Sequence, residues 1–148
     1  MKPIVHTAFS VFVGLTLSLN VAAQAARPVI DVYKSASCGC CEGWAEHLRK
    51  SGLEVNTHDI GDVPGERQRL GMPEKYASCH TAKVGGYVIE GHVPAADIKR
   101  LLAEKPRAVG LAVPSMPPGS PGMEYPHPVA YDTLLVQPGG GASVFARH

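Results

Sequence analysis

The sequence predicts a mixed α/β domain in which a βαβ unit is followed by a short helix, a β-hairpin and a last helix. Three observations support this fold class: alternation of apolar and polar residues in short runs, helical spacing of apolar residues between the first two runs, and a Gly-Gly link between two later ones. The 148 residues suffice for one domain. With 14 Lys and Arg against 13 Asp and Glu, the net charge of +1 argues against nucleic acid or an anionic membrane surface as a partner.

The first 25 residues have the pattern of a secretory signal peptide. Lys2 gives a positive start, the segment Ala8–Leu19 is apolar apart from Ser, Thr and Gly, and Ala23-Gln24-Ala25 has the small-x-small form of a cleavage site. The apolar segment is too short to span a membrane as a helix. We therefore expect residues 1–25 to be removed, and the mature protein, residues 26–148, to lie outside the cytosol without a membrane segment.

The mature chain is predicted to begin with a βαβ unit. Val29–Tyr33 alternates like a strand, apolar residues share one helical face from Cys41 to Lys50, and a second strand follows near 54–60. Such units cross over right-handed in nearly all cases and pair their strands in parallel. The run Cys38-Gly39-Cys40-Cys41 therefore lies where the first strand leads into the first helix.

Further elements complete the predicted core. They are a helical piece from Asp62 to about Leu70, one further turn at Glu74–Ala77, strands Thr81–Val84 and Tyr87–Glu90 joined by Gly85-Gly86, and a helix from Pro94 that ends at Pro106. Two glycines can adopt the positive φ angles of a tight hairpin, so the two strands are predicted to be antiparallel. The resulting order, β-α-β-α-β-β-α, is that of a thioredoxin-like fold.

The C-terminal part has a different composition. Residues 110–141 hold six Gly and seven Pro, which argues against regular structure except in Val129–Val136. A disordered tail is one interpretation. The apolar residues within the segment favour an ordered wrap that ends in a strand or hairpin added to the sheet edge. The predicted domain, 26–148, thus consists of a core, 28–106, and a C-terminal extension, 107–148.

The four cysteines are the candidate redox or metal-binding residues. Three of them fall in Cys38-Gly39-Cys40-Cys41, at a helix start, where unpaired amides and the helix dipole favour thiolates. Cys38 and Cys41 form a C-x-x-C pair, the arrangement of thiol-disulfide oxidoreductases, but such a dithiol needs no third sulfur. Crowded thiolates select soft metals and can bridge more than one ion. Copper is favoured over zinc, because structural zinc usually draws on two separated ligand pairs.

Cys79 is the fourth candidate ligand. In thioredoxin-like proteins the residue before the third strand, usually a cis-proline, lies against the cysteines at the helix start, and Ser78-Cys79-His80-Thr81 occupies that place here. His80, Met116 and Met123 are candidates for additional ligands, but a lone His or a Met in a covering loop is more often an ordinary packing or hydrogen-bonded residue. His47 is expected to be solvated. The remaining histidines of the mature chain show no spacing signal: His58, His92, His127 and His148.

Four motifs occur together in the mature chain: the run from Val32 into Cys38-Gly39-Cys40-Cys41, Ser78-Cys79-His80-Thr81, Ile89-Glu90-Gly91-His92-Val93-Pro94, and the Gly/Pro-rich stretch from Gly110 to Glu124. Together they closely resemble the CopG copper-resistance family of bacteria. The resemblance implies a thioredoxin-like, periplasmic protein with a multinuclear copper-thiolate site at Cys38, Cys40, Cys41 and Cys79. Ser115 stands where the family pattern leads us to expect Gly.

Two classes of function follow. The first is a periplasmic protein of copper resistance that holds Cu(I) or Cu(II), shifts copper between these states, and exchanges it with copper efflux or chaperone proteins. The second is a thiol-disulfide oxidoreductase that uses Cys38 and Cys41. Cys40 and Cys79 favour the first, because a plain dithiol enzyme needs neither. A domain stabilised by disulfides without a functional site is a third interpretation.

Overall fold

A computed structural model describes residues 28–148, so the signal peptide expected at 1–25 lies outside the described residues. Within these residues the mixed α/β class is confirmed: one seven-stranded sheet packs with three α-helices. The elements are β1 (Val29–Lys34), α1 (Gly39–Lys50), β2 (Glu54–Asp59), α2 (Val63–Leu70), β3 (His80–Val84), β4 (Tyr87–Gly91), α3 (Ala95–Glu104), β5 (Gly110–Val113), β6 (Asp132–Val136) and β7 (Ala142–Arg147), with a 3-10 turn at Glu74–Tyr76. The strand order is β2-β1-β3-β4-β5-β6-β7.

The predicted βαβ unit is confirmed. β1 and β2 pair in parallel, with Val29 opposite Glu54. Helix α1 buries Trp44, Ala45 and Leu48 on one face, as their spacing predicts, and begins at Gly39. The motif with three cysteines therefore forms the first turn of α1.

The predicted hairpin and the helix after it are also confirmed. β3 and β4 pair antiparallel through the Gly85-Gly86 link, where both glycines have positive φ. β3 also pairs antiparallel with β1, with His80 opposite Lys34. This pairing places the start of β3, and Cys79 immediately before it, beside the end of β1, where α1 begins.

Alternation along the central strands builds a core on both faces of the sheet. Ile89 of β4 and Leu111 of β5 contribute to the larger core, which includes Trp44 of α1 and Ile98 of α3. Val88 and Ala112, their neighbours in sequence, point to the opposite face and pack against a smaller cluster. Within residues 28–148, no helix has the length and apolar character needed to cross a membrane.

The extension is more regular than predicted. Gly110–Val113, expected to lie in the irregular wrap, forms β5, which pairs in parallel with β4 and is buried along its whole length. A Cβ on Gly110 would lie 1.7 Å from the carbonyl oxygen of Val88, so this strand pairing requires glycine there. β6 and β7 then form an antiparallel hairpin on the edge of the sheet, as expected for the terminal segment.

Candidate metal centre

The motif Cys38-Gly39-Cys40-Cys41 presents its sulfurs at the start of α1. Cys38 is the residue before the helix and forms a disulfide with Cys41, whereas Cys40 is a free thiol. The Sγ atoms of Cys38 and Cys40 lie 3.6 Å apart. Of these residues, Cys41 is buried, and Cys38 is partly exposed. The motif therefore packs three sulfurs together with an opening to solvent on one side.

Cys79 reaches this motif from the other side. Its Sγ atom lies 3.5 Å from Sγ of Cys41 and 3.8 Å from Sγ of Cys40. The sulfurs of all four cysteines lie within 4.8 Å of one another. We call Cys38, Cys40, Cys41 and Cys79 the thiol cluster. Its members come from two segments that are 38 residues or more apart in sequence.

Two histidines extend the cluster into the core. Sγ of Cys79 lies 3.1 Å from Nε2 of His92 and 3.4 Å from Nδ1 of His80, and the three donor atoms form a second compact group. His92 Nδ1 lies 2.9 Å from the carbonyl oxygen of Pro121. Because a carbonyl only accepts, Nδ1 carries the ring proton and Nε2 of the neutral ring presents its lone pair to Cys79.

Burial keeps these groups uncharged. It lowers the pKa of His80 to about 3, with the neighbouring His92 adding to the effect, and it also lowers the pKa of His92. Burial, with a further contribution from the Cys40 thiol, raises the pKa of Cys79 to about 12. Without a cation the Cys79 thiol thus keeps its proton at neutral pH. A metal ion bound there displaces that proton.

The C-terminal extension packs beside the cluster, against the start of α1 and His92. Gly122, at φ +82°, approaches the first turn of α1 so closely that a Cβ would lie 2.5 Å from the carbonyl oxygen of Cys40 and 2.6 Å from the amide nitrogen of Trp44. The preceding Pro121 accepts the hydrogen bond from His92. The segment around Pro121 and Gly122 therefore fixes the His92 ring and packs against the first turn of α1.

Comparisons with known proteins found a family match and similar solved structures. A family described as "Protein of unknown function, DUF411" matches residues 76–123, a range that includes Cys79, His80 and His92.

Two solved structures described as copper resistance protein CopG are similar to this chain over most of their length. Form 2 is 45% identical with a TM-score of 0.78, covering 82% of this chain and 98% of that chain. Form 1 is 45% identical with a TM-score of 0.77, covering 81% and 96%. The chain belongs to the CopG copper-resistance family. No curated protein matches it.

The structure of this CopG family member brings together the four cysteines that the sequence singles out. His80, a candidate for an additional ligand, lies against Cys79. His92 is the residue that spacing missed, because its approach to Cys79 depends on the pairing of β3 with β4. The motif Gly91-His92-Val93-Pro94 in the family resemblance was the signal available for it. Of the two methionines, Met116 is 45% exposed and Met123 is partly buried.

His47 and Ser115 differ from what the sequence leads us to expect. His47 was predicted to be solvated, but its side chain is partly buried and Nε2 accepts a hydrogen bond from the Ala95 amide at 3.2 Å. Ser115 adopts a φ of +64°, the left-handed region that glycine occupies without strain. The Gly expected from the CopG family pattern suits this backbone. Here the Ser115 amide donates to the Ala77 carbonyl and its carbonyl accepts from the Ser78 hydroxyl.

Proposed function

We propose that this protein binds copper in a thiolate site formed by Cys38, Cys40, Cys41 and Cys79, and that the site holds more than one ion. The observation that carries the proposal is the convergence of four sulfurs from two distant segments within 4.8 Å of one another. Thiolates are soft donors that suit Cu(I), and sulfurs this close can bridge neighbouring ions. The similarity to two proteins described as copper resistance proteins supports copper as the metal.

The wider setting of the proposal is a periplasmic one. Residues 1–25 serve as a signal peptide and residues 26–148 form the mature domain, with a core at 28–106 and an extension at 107–148. The core has a thioredoxin-like fold, supported by the parallel β1-α1-β2 unit and the β3-β4-α3 elements that follow it. The protein exchanges copper with periplasmic efflux or chaperone proteins in copper resistance.

The sulfur donors of the thiol cluster suit copper once the Cys38–Cys41 disulfide is reduced. In the oxidised form, Cys40 and Cys79 are the thiols of the cluster, 3.8 Å apart, and Nε2 of His92 lies beside Cys79. Reduction of the Cys38–Cys41 disulfide by a dithiol donor, which itself becomes a disulfide, adds two thiols. The reduced cluster then offers four thiolates, and its copper capacity is correspondingly larger.

The Cys38–Cys41 pair also provides a balanced redox step. Two Cu(II) ions each accept one electron from the thiolates of Cys38 and Cys41, and the two sulfurs then share a bond. The products are two Cu(I) ions and the disulfide that the structure contains. The dithiol donor restores the thiolates. This cycle would convert Cu(II) to Cu(I) during the handling of copper.

The test is copper loading of the reduced, anaerobic protein. We expect more than one Cu(I) per chain, and a thiolate-to-copper charge-transfer band in the ultraviolet. Cys79→Ser should remove much of this loading, although Cys79 is 38 residues from Cys41. Ser37→Ala is the matched control, because Ser37 is exposed beside the motif and does not cap α1. Unchanged loading in Cys79→Ser would remove Cys79 from the site and contradict the proposal.

A thiol-disulfide oxidoreductase is the second candidate, because the Cys38–Cys41 disulfide lies at a helix start, as in enzymes of that class. Such an enzyme exchanges disulfides through one attacking and one resolving thiolate, without Cys40. We expect Cys40→Ala to lose copper, since the site uses all four sulfurs. Strong insulin reduction by the metal-free protein, retained in Cys40→Ala, would favour the enzyme instead.

A further inference from the structure

A buried ion pair lies beneath the segment that carries Cys79. Arg67 of α2 donates from Nε to Oε1 of Glu90 of β4 at 2.8 Å, and their side chains are 3% and 0% exposed. Burying two charges costs free energy that their attraction often fails to recover, so such a pair is weak evidence for stabilisation alone. Its position next to the thiol cluster calls for another role.

Both members of the pair bind the backbone of Ser78. Arg67 Nη2 donates to the Ser78 carbonyl oxygen at 2.7 Å, and the Ser78 amide donates to Glu90 Oε1 at 2.7 Å. That carbonyl belongs to the peptide bond that joins Ser78 to Cys79. The two contacts therefore fix the peptide groups on both sides of the Ser78 Cα atom, immediately before Cys79.

The sheet does not supply this restraint. β3 begins at His80, and its ladder with β1 begins at the pair His80 and Lys34. Ser78 and Cys79 precede the paired residues, so side chains take the place of strand pairing there. Arg67 is itself oriented by a third contact, from Nη1 to Oε2 of Glu74 at 3.1 Å.

We propose that Arg67 and Glu90 are positioning residues that hold Cys79 against the three cysteines of α1. This inference rests on the proposed function, in which Cys79 is a copper ligand. The planar guanidinium of Arg67 contacts Glu90, Glu74 and the Ser78 carbonyl at once, which a Lys ammonium cannot reproduce with the same geometry. Loss of the pair frees the Ser78-Cys79 segment, so the Cys79 sulfur spends less time within reach of the cluster.

The test replaces both charges by apolar side chains, in Arg67→Met/Glu90→Leu, so that no unpaired charge stays buried. The matched control is Arg69→Met/Glu66→Leu, which removes the neighbouring ion pair of α2, one that does not contact Ser78. Unfolding midpoints establish that both variants are folded. Arg67→Lys keeps the cation and provides the second test if the double variant does not fold.

The first readout needs no copper. In protein with its Cys38–Cys41 disulfide intact, diamide oxidises the two remaining thiols, Cys40 and Cys79, to a disulfide that peptide mapping detects. Because the rate depends on how often the two sulfurs meet, we expect it to fall about tenfold in Arg67→Met/Glu90→Leu, less in Arg67→Lys, and not in the control. An unchanged rate in the folded double variant would overturn the proposal.

The second readout is copper per chain and the charge-transfer band of the reduced protein. We expect less copper and an altered band in the double variant, and partial recovery of both in Arg67→Lys. Slower oxidation with normal copper loading would support the positioning role and contradict Cys79 as a ligand. Normal oxidation with reduced copper loading would contradict the positioning role and leave the proposed copper site standing. The two proposals thus fail separately.

Discussion

The two sides of the thiol cluster are built in different ways. Three of its cysteines lie in one turn at the start of α1, and their arrangement follows from the local sequence. Cys79 depends on contacts with residues distant in sequence: Arg67 and Glu90 fix Ser78 before it, and His92 lies against its sulfur. One side is therefore set by a helix start, and the other by packing between several elements.

The two sides also differ in how tightly they are packed. At the start of α1, Gly39 is exposed and Cys38 and Cys40 are partly exposed. No atom lies within 4 Å of a Cβ built on Gly39. The Cys79 side is tightly packed, and a side chain added at Gly91 would overlap neighbouring atoms. Substitutions of equal size should thus cost much more on the Cys79 side.

The largest expected effect is that of Gly91→Ala. Gly91 has a φ of +70°, and a Cβ there would lie 2.5 Å from the Val113 carbonyl oxygen and 2.6 Å from Cβ of Ser78. Backbone strain and overpacking together should lower the free energy of unfolding by about 3 to 5 kcal/mol. Urea denaturation under non-reducing conditions measures this loss.

The matched substitution on the other side is Gly39→Ala. No atom lies within 4 Å of a Cβ at Gly39, and the residue is in the first turn of α1. Since Ala is a better helix former than Gly, we expect a change of less than about 1 kcal/mol, in the stabilising direction. Equal losses in Gly91→Ala and Gly39→Ala would contradict the contrast between the two sides.

The same contrast explains what the sequence could predict. The βαβ unit, the hairpin and the position of three cysteines at a helix start depend on patterns within about 15 residues, which periodicity and turn residues indicate. The β5 strand was not predicted, because its four apolar residues lie beside several Pro and Gly and do not alternate with polar residues. Its identity as a strand comes from pairing with β4.

The support of Cys79 was missed for a related reason. Arg67 has the sequence pattern of an exposed helical charge, and Glu90 that of a residue in an amphipathic strand. Only the packing of α2 against the sheet buries both and directs them to Ser78. His92 likewise acquires its role from its neighbours, Cys79 and Pro121. Cys79 itself was identified through the position before β3.

The second prediction tests the contact between the extension and the motif. Gly122 packs against the backbone of Cys40 and Trp44, and a Cβ would overlap both. We expect Gly122→Ala to lower the free energy of unfolding by about 2 kcal/mol, less than Gly91→Ala, because a loop can shift away from the helix more easily than a paired strand. Denaturation with urea measures the effect.

Gly139→Ala is the control for backbone strain in that experiment. Gly139 has a φ of +96°, similar to Gly122, but no atom lies within 4 Å of its Cβ position. Gly139→Ala should lower the free energy of unfolding only by the cost of placing a non-glycine residue at positive φ, about 1 kcal/mol. If Gly122→Ala costs no more than Gly139→Ala, the close approach of the extension to α1 contributes nothing to stability.

The smallest expected effect is a pH dependence at the far end of α1, outside the thiol cluster. His47 accepts a hydrogen bond from the Ala95 amide of α3, and it lines a surface groove with Glu46 and Lys50 of its own helix and Glu124 of the extension. Burial lowers the pKa of His47 below its ordinary value of 6.5, although Glu124 opposes the shift. A protonated ring could not accept from Ala95 through Nε2.

The direction of this pH dependence follows from proton uptake by His47 in the unfolded chain. Below pH 6.5 the unfolded chain binds a proton at this position more readily than the folded chain does, so the contribution of His47 is present above pH 6.5 and is lost as the pH falls toward its folded pKa. We expect His47→Gln, which keeps an acceptor but does not titrate, to weaken the decline in the free energy of unfolding between about pH 7 and about pH 5. Urea denaturation across this range compares the variant with the parent protein. A steeper decline in His47→Gln would show that His47 is protonated more readily in the folded protein, and that Glu124 outweighs burial.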